Sequence, residues 1–310
     1  MRVLVTGGAG FIGSHLSRVL LEQGHQVTVL DNLSRGRRDL GPDAAAFVQV
    51  DLADEDATTE ALRGHDAVIH LAGFLEVAVS VERPVQFTEN NVVNSVRLLE
   101  SMRRAGVGKI VFSSSATVYG VPKSLPVREE DPLGMQANPY GASKVAVETL
   151  LGVYHQLHGF DCVVLRYFNP YGPNELCDPE THAVPNFVRA ALERRPIPLN
   201  WRGEQVRDFI YVEDLARAHI EPLGLSGFEV FNIGTQVGTK IIDVVETIFR
   251  ILGYRVPIDD LGERAGDVAA YYASSEKIAS MLGWRAQVDL EEGLRRTIEH
   301  YRDRLGMAAS

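Results

Sequence analysis

The sequence predicts an α/β protein: a Rossmann-type doubly wound parallel sheet with a smaller C-terminal α/β lobe for substrate. Three observations carry this. The chain opens on a strand–turn–helix unit, Val3-Leu-Val-Thr-Gly7-Gly-Ala-Gly10-Phe-Ile-Gly13-Ser-His15, whose turn is made almost wholly of glycine. Short apolar strands then alternate with helical patterns, which implies parallel strands joined by crossovers. Beyond Pro170 the chain becomes irregular and rich in proline, at Pro173, Pro179, Pro185, Pro196 and Pro198, which marks a second lobe.

Each element has its own reason. The glycine turn lets the backbone approach a pyrophosphate. The amides at the following helix N-terminus, around Gly7, Gly10, Phe11, Ile12 and Gly13, then face its charge. A plain tight turn also uses glycine, so context decides. The second strand, Gln26–Leu30, ends in Asp31, followed by Asn32. A carboxylate at a strand end there accepts from both ribose hydroxyls of NAD and repels the extra phosphate of NADP. Arg35, Arg37 and Arg38 pull the other way, but they come later, in a loop. NAD is therefore the expected cofactor. A third strand, Ala46–Val50, runs into Asp51-Leu52, where Asp51 either caps the next turn or contacts the adenine end. The fourth, Ala67–Leu71, is followed by Ala72-Gly73, small enough for close cofactor approach. Residues 85–105 read as one long helix, with Asn90 and Asn91 near its first turns facing either the cofactor or solvent. The fifth strand, Lys109–Ser113, leads into Ser113-Ser-Ser115-Ala-Thr117, and Asp161–Arg166 is the sixth.

The chemistry lies in Tyr140-Gly-Ala-Ser-Lys144, which opens a helix. Tyrosine and lysine at i and i+4 share a helix face. A phenol is a poor base at neutral pH. A neighbouring ammonium and the positive nicotinamide of an oxidised cofactor favour the phenolate. Tyr140 can then take the proton of a substrate hydroxyl while hydride leaves the same carbon, with the Ser115 hydroxyl holding the substrate oxygen. An ordinary helix-surface pair is the bland alternative. The glycine turn, Asp31 and the serine-tipped strand outweigh it.

At 310 residues the chain can bury a large core. A net charge of −10 argues against a nucleic-acid or anionic-membrane surface. Cys162 and Cys177 are too few for a disulfide framework and lack metal-site spacing, so no metal is expected. The first strand begins at Arg2, leaving no room for a signal peptide, and no apolar run reaches membrane-spanning length. A cytoplasmic enzyme fits.

Thr6-Gly-Gly-Ala-Gly-Phe-Ile-Gly-Ser-His15, Asp31-Asn-Leu-Ser34, His70-Leu-Ala-Gly73, Ser113-Ser-Ser-Ala-Thr-Val-Tyr-Gly120, Tyr140-x-x-x-Lys144, Arg166-Tyr-Phe-Asn-Pro170 and Arg207-Asp-Phe-Ile-Tyr-Val212 together resemble the extended short-chain dehydrogenase/reductases. The pattern is most similar to the sugar-nucleotide epimerases among them. The resemblance implies an NAD-binding domain at 1–168, to which part of 207–235 returns, and a mainly nucleotide-sugar-binding domain at 169–310. It implies cofactor contacts at Leu52, Leu71, Ala72, Gly73, Asn90, Ser113 and Tyr167, beside Tyr140 and Lys144. It further implies a UDP-sugar site made by Ser115, Thr117, Tyr140, Asn169, Asn186, Arg207, Arg264 and Asp267. Two arginines suit a diphosphate clamp, although Arg207-Asp208 also reads as a surface ion pair and Asp267 as a turn residue. Trp201 reads either as a uracil platform or as core.

In this family the helices of residues 85–105 and 141–157 form a dimer bundle, so a homodimer is expected. Related dehydratases carry an acidic pair where this chain has Ala116 and Thr117, and related decarboxylases carry a glutamate at Thr117. Their absence leaves 4-epimerisation of a UDP-hexose through a 4-keto sugar, the glucose and galactose forms being the expected pair. Tyr271 falls where such enzymes set pocket width, and its bulk implies plain hexoses. UDP-uronate or UDP-N-acetylhexosamine epimerisation, another nucleotide-sugar oxidoreduction, and a non-catalytic NAD-binding regulator are the alternatives. Glu76 departs from the family pattern and reads either as a solvated loop residue or as a pocket group near the sugar or nicotinamide.

Overall fold

Val3, Leu4 and Val5 have no exposed surface, and neither do Val68, Ile69, Val111 and Val164. Strands this apolar on both faces belong in the middle of a parallel sheet covered by helices on each side. That sheet is present in the computed structural model, which describes residues 1–175, 182–263 and 268–307. In chain order its first half runs β1 (Arg2–Thr6), α1 (Phe11–Glu22), β2 (Gln26–Leu30), β3 (Ala46–Val48), α2 (Glu55–Leu62), β4 (Ala67–His70), α3 (Val77–Glu82), α4 (Pro84–Thr88), α5 (Asn94–Ala105), β5 (Lys109–Ser115), α6 (Pro139–His158) and β6 (Asp161–Tyr167). The second half adds β7 (Asn169–Tyr171), α7 (Ala183–Leu192), β8 (Ile197–Leu199), β9 (Val206–Arg207), β10 (Phe209–Tyr211), α8 (Val212–Ile220), β11 (Phe228–Ile233), β12 (Thr239–Lys240), α9 (Ile241–Leu252), β13 (Ile258–Asp260), β14 (Ala270–Tyr271), α10 (Glu276–Leu282) and α11 (Leu290–Arg304).

The main sheet has seven strands in the order β11-β6-β5-β4-β1-β2-β3, and every pairing is parallel. The strand order reverses beside β1, between β4 and β2. A crevice opens there at the carboxyl ends of the strands, which is where open α/β sheets bind ligands. β11 comes from far downstream and completes the edge beside β6 through six register pairs, from Phe228 with Cys162 to Ile233 with Tyr167.

A second apolar cluster lies off the sheet. It gathers Phe187 and Val188 of α7, Val245 and Ile248 of α9, and Leu294 and Ile298 of α11 around Tyr171 and Tyr211. Beside it β12, β9 and β14 form a three-stranded sheet in which Arg207 pairs with Thr239 on one side and Tyr271 on the other. Asp208, fully buried, accepts from the backbone amides of Thr235, Gln236 and Ala273 and so ties this sheet to the end of β11.

Residues 85–105 are not the single helix the apolar spacing predicts. α4 passes into a π turn at Glu89–Val93 before α5 begins. Within that turn Asn91 is buried: its Oδ1 accepts from the Phe74 amide (2.8 Å), and its Nδ2 donates to the Phe74 carbonyl (2.8 Å). Single π turns inside helices commonly reposition side chains at functional sites. Among the described residues, no helix is long and apolar enough to cross a membrane.

Candidate active site

The crevice above β1 is a cleft of about 1040 Å³. Its floor is the glycine turn. Gly7 has φ +68°, and a Cβ there would lie 2.7 Å from the amide nitrogen of Ala72, so the turn and the loop after β4 close on each other only through glycine. A Cβ on Gly13 would lie 2.5 Å from the Gly7 carbonyl oxygen. α1 starts at Phe11 with Gly10 as N-cap, no side chain capping it, and no acidic residue in its first turn. The first-turn amides of a helix have no intrahelical acceptor, so this end suits an anion.

Asp31 stands at the end of β2, nearly buried. Its Oδ1 accepts from Leu33 N (2.8 Å) and its Oδ2 from Ala9 N (3.1 Å). Burial raises the carboxyl above its ordinary value and those two amides pull it back. Asn32 donates to Asp51 Oδ2 (2.8 Å), while Asp51 Oδ1 accepts from Ala53 N (2.8 Å). Asp51 therefore closes a turn and also borders the cleft. These groups form a cradle with an anion end and a carboxylate end, and they fit a dinucleotide.

At the inner wall, Tyr140 and Lys144 project from the first turns of α6, whose N-cap Asn138 accepts from Gly141 N. Lys144 Nζ donates to the Ser113 carbonyl (2.8 Å) and lies 5.8 Å from the centre of the Tyr140 ring. Burial lowers its pKa to about 8, against the opposing pull of Glu148. Among the neighbouring side chains, Ser115 favours the ionised form of the Tyr140 phenol. In the protein alone, burial pushes the phenol up, Ser115 offsets this only in part, and the neighbouring ammonium does not reverse it.

The structure brings together nearly all the expected cofactor residues. Gly7, Gly10, Phe11, Ile12, Gly13, Asp31, Asn32, Asp51, Leu52, Leu71, Ala72, Gly73, Asn90, Tyr140, Lys144 and Tyr167 all border the cleft. Ser113 does not: its hydroxyl meets Nε2 of His219 (2.8 Å). Asn90 reaches the cleft because of the π turn, whereas Asn91 is structural.

Of the expected substrate residues only Tyr140 borders this cleft. Ser115, nearly buried, is not among the residues that border it, and the Thr117 hydroxyl is buried with no hydrogen-bond partner among the described residues. Asn169 lies on β7, Asn186 on α7 and Arg207 on β9. Arg207 donates Nη1 to the carbonyls of Val206 (2.9 Å) and Val268 (2.7 Å). Tyr271 packs on Phe168, with ring centres 5.2 Å apart, and its hydroxyl donates to the Ala116 carbonyl. Arg264 and Asp267 lie outside the described residues, as does Cys177.

Sequence reasoning missed part of the wall. Glu175 and His182 meet at 2.7 Å and border the cleft with Tyr301 and Arg304. No local pattern marks them, because Tyr301 and Arg304 come from α11, more than 100 residues downstream of Glu175 and His182. Glu76, left open by the sequence, borders the cleft at the Arg35 side.

A doubly wound dinucleotide fold with a tyrosine and a lysine at the inner end of its cleft defines an enzyme that works on an alcohol carbon. Comparison with known proteins gives the particular group. The chain belongs to the NAD dependent epimerase/dehydratase family, whose pattern matches residues 3–234. It is 38% identical over 320 residues to the UDP-glucose 4-epimerase of Yersinia enterocolitica, with 95% of each chain covered. It superposes on the UDP-glucose 4-epimerase of Thermotoga maritima, crystallised with UDP-glucose, at a TM-score of 0.93 and 36% identity, covering 98% of this chain and 100% of that one. The UDP-glucose 4-epimerase of Thermus thermophilus, solved in complex with NAD, superposes at 0.90 and 39% identity, covering 97% and 99%.

Proposed function

We propose that this protein is an NAD-dependent 4-epimerase that interconverts UDP-glucose and UDP-galactose through a transient 4-keto sugar. The observation that carries the reading is Tyr140 with Lys144 one turn along on α6, Lys144 Nζ being fixed to the Ser113 carbonyl (2.8 Å), at the inner wall of a cleft built for a dinucleotide. Bound NAD supplies an acceptor that takes the C4 hydride and returns it. Tyr140 takes the 4-hydroxyl proton and gives it back to the same oxygen. Ser115 holds that oxygen against the phenol. Lys144, fixed by the Ser113 carbonyl, keeps positive charge beside the ring. Ala116 and Thr117 offer no carboxylate next to Ser115, so elimination of water lacks its acid and base.

Asn169, Asn186 and Arg207, with Arg264 and Asp267, are proposed to hold the UDP. Residues 169–310 are read as mainly the nucleotide-sugar domain and 1–168 as the NAD-binding domain. The entry of β11 into the main sheet supports a return of part of 207–235 to the latter. Tyr271, held between Phe168 and the Ala116 carbonyl, favours plain hexoses over N-acetylated ones. A homodimer through α4, α5 and α6 is proposed with the enzyme. Its support is the exposed apolar face there: Val85 is 69% and Leu157 70% exposed, and Val93 and Val153 lie in the same helical segments.

The test is conversion of a UDP-sugar panel, comprising glucose, galactose, their N-acetylated forms, glucuronate and galacturonate, by protein purified with NAD. Interconversion of the glucose and galactose forms is expected. Turnover confined to uronates or N-acetyl sugars would overturn the substrate assignment. Binding of NAD without any turnover would overturn the reaction.

A further inference from the structure

The loop after β2 carries three arginines beside the Asp31 carboxylate, and each is engaged differently. Arg38 turns away, its guanidinium 4.9 Å over the ring of Phe47. Arg37 clamps Asp39 at two points, Nε to Oδ1 (3.0 Å) and Nη2 to Oδ2 (2.6 Å), in a pair open to solvent. Arg35 alone reaches across to the loop after β4. Its Nη2 lies 3.2 Å from Oε1 of Glu76, and its guanidinium lies 5.5 Å over the ring of Phe74. The Glu76 side chain is only 12% exposed, so this pair is screened less than the Arg37–Asp39 pair.

The placement matters for the adenosine half of a dinucleotide. Arg35, Phe74 and Glu76 all border the cleft. Arg35 is adjacent in sequence to Gly36, and a Cβ on Gly36 would lie 2.9 Å from the Asp31 carboxylate. The backbone of Arg35 therefore belongs to the segment pressed against the group suited to the adenosine ribose, while its guanidinium extends across the cleft to Phe74 and Glu76. β2 and β4 are the two neighbours of β1, so the Arg35–Glu76 pair joins the loops on either side of the glycine turn.

We propose that Glu76 is a cofactor-specificity residue: by occupying Arg35 it denies a ribose 2′-phosphate the cleft-facing guanidinium that would otherwise receive it. A 2′-phosphate has to displace a shielded carboxylate from Arg35 and also face Asp31. A dinucleotide without that phosphate meets neither obstacle. The pair answers the conflict in the sequence, where arginines follow Asp31 as though to welcome NADP. The proposal rests on the nicotinamide-dinucleotide reading of the cleft.

Full-length protein stripped of nucleotide is titrated with NADH and with NADPH, following the fluorescence of each. The wild type is expected to bind NADH and to bind NADPH far more weakly. Glu76→Gln is expected to raise NADPH association about tenfold, the size of one modest ion pair, and to change NADH association by less than about threefold. Adding Arg35→Gln to Glu76→Gln should abolish the gain, and Glu76→Ala should reproduce it. Unchanged NADPH binding in the folded Glu76 variants, or a gain that survives loss of Arg35, would overturn the proposal while leaving the cofactor reading intact. Failure of the wild type to bind NADH would overturn the cofactor reading and the proposal with it.

Discussion

Glu148 and Arg166 form a buried ion pair, Oε2 to Nη2 at 2.7 Å, one helical turn beyond Lys144 on the face of α6 that carries Tyr140. Both side chains are less than a tenth exposed. Arg166 also donates to the Tyr119 hydroxyl (2.9 Å), which in turn donates to Asn232 Oδ1 (2.7 Å). Burial works against the charge on Arg166, but Glu148 outweighs it and raises the guanidinium pKa. Removing one partner leaves the other charged and dry. Glu148→Gln should therefore lower stability by about 3 kcal/mol, read from the denaturant midpoint, while Glu148→Leu combined with Arg166→Met should lose much less. Equal losses in the two variants would mean that the pairing is not what matters.

Lys144 gives a pH dependence whose sign follows from burial. Its native pKa, about 8, lies below that of the unfolded chain, so between the two the unfolded state binds more protons. The cost of burying the ammonium is complete below pH 8 and is relieved as pH rises towards the ordinary lysine value. Lys144→Met should be inactive yet more stable than the wild type by about 2–3 kcal/mol at pH 7. That advantage should shrink steadily between pH 8 and 10.5. Unfolding at a series of pH values checks it, and a pH-independent difference would refute the cause given.

Tyr140→Phe removes the proton-transfer group proposed at the inner end of the cleft and leaves the ring in place. Turnover should fall by about 10²-fold or more, with NADH binding close to the wild-type value. Full activity in this variant would sink the mechanism.

Tyr271 closes its part of the protein by a hydrogen bond to the Ala116 carbonyl and by packing on Phe168. Tyr271→Ser should remove both. UDP-N-acetylglucosamine turnover should rise about tenfold or more relative to UDP-glucose, a typical effect of reshaping one pocket wall. An unchanged ratio in the substrate panel would take Tyr271 out of the specificity argument.

Leu157 lies on the outer face of α6 with most of its surface in water. A charge at that position cannot be buried between two copies. Leu157→Glu should convert the proposed dimer to a monomer in sedimentation velocity with little change in thermal unfolding of the monomer. A wild-type protein that already sediments as a monomer would remove the dimer.

The strands and the glycine turn are readable in the sequence because each depends on near neighbours. Gln26–Leu30 reads as a buried strand from its own residues, and the Tyr140/Lys144 pair needs only the helical period. The break in residues 85–105 is not readable. The apolar spacing of Val92, Val96 and Leu99 continues through it, and within it Asn91 bonds to the backbone of Phe74, 17 residues upstream. Glu76 is ambiguous for the same reason: its role depends on Arg35, which comes near only when β2 and β4 flank β1. The direction of the Tyr140 shift escapes the sequence because burial is a property of the whole fold, whereas the proximity of Lys144 can be counted along a helix.

The position of β11 also governs how the chain can be made. β6 ends at Tyr167 and β11 begins at Phe228, about 60 residues later. A ribosome adding residues at common rates needs roughly 3–12 s to cover that interval. During it β6 presents bare amide and carbonyl groups along an apolar edge, the kind of template on which strands from other molecules pair. A polypeptide stopped at residue 168 would carry nearly every side chain assigned to the dinucleotide and still display that edge. The seventh strand thus covers the β6 edge that such a polypeptide would leave open, a task separate from any step in its chemistry.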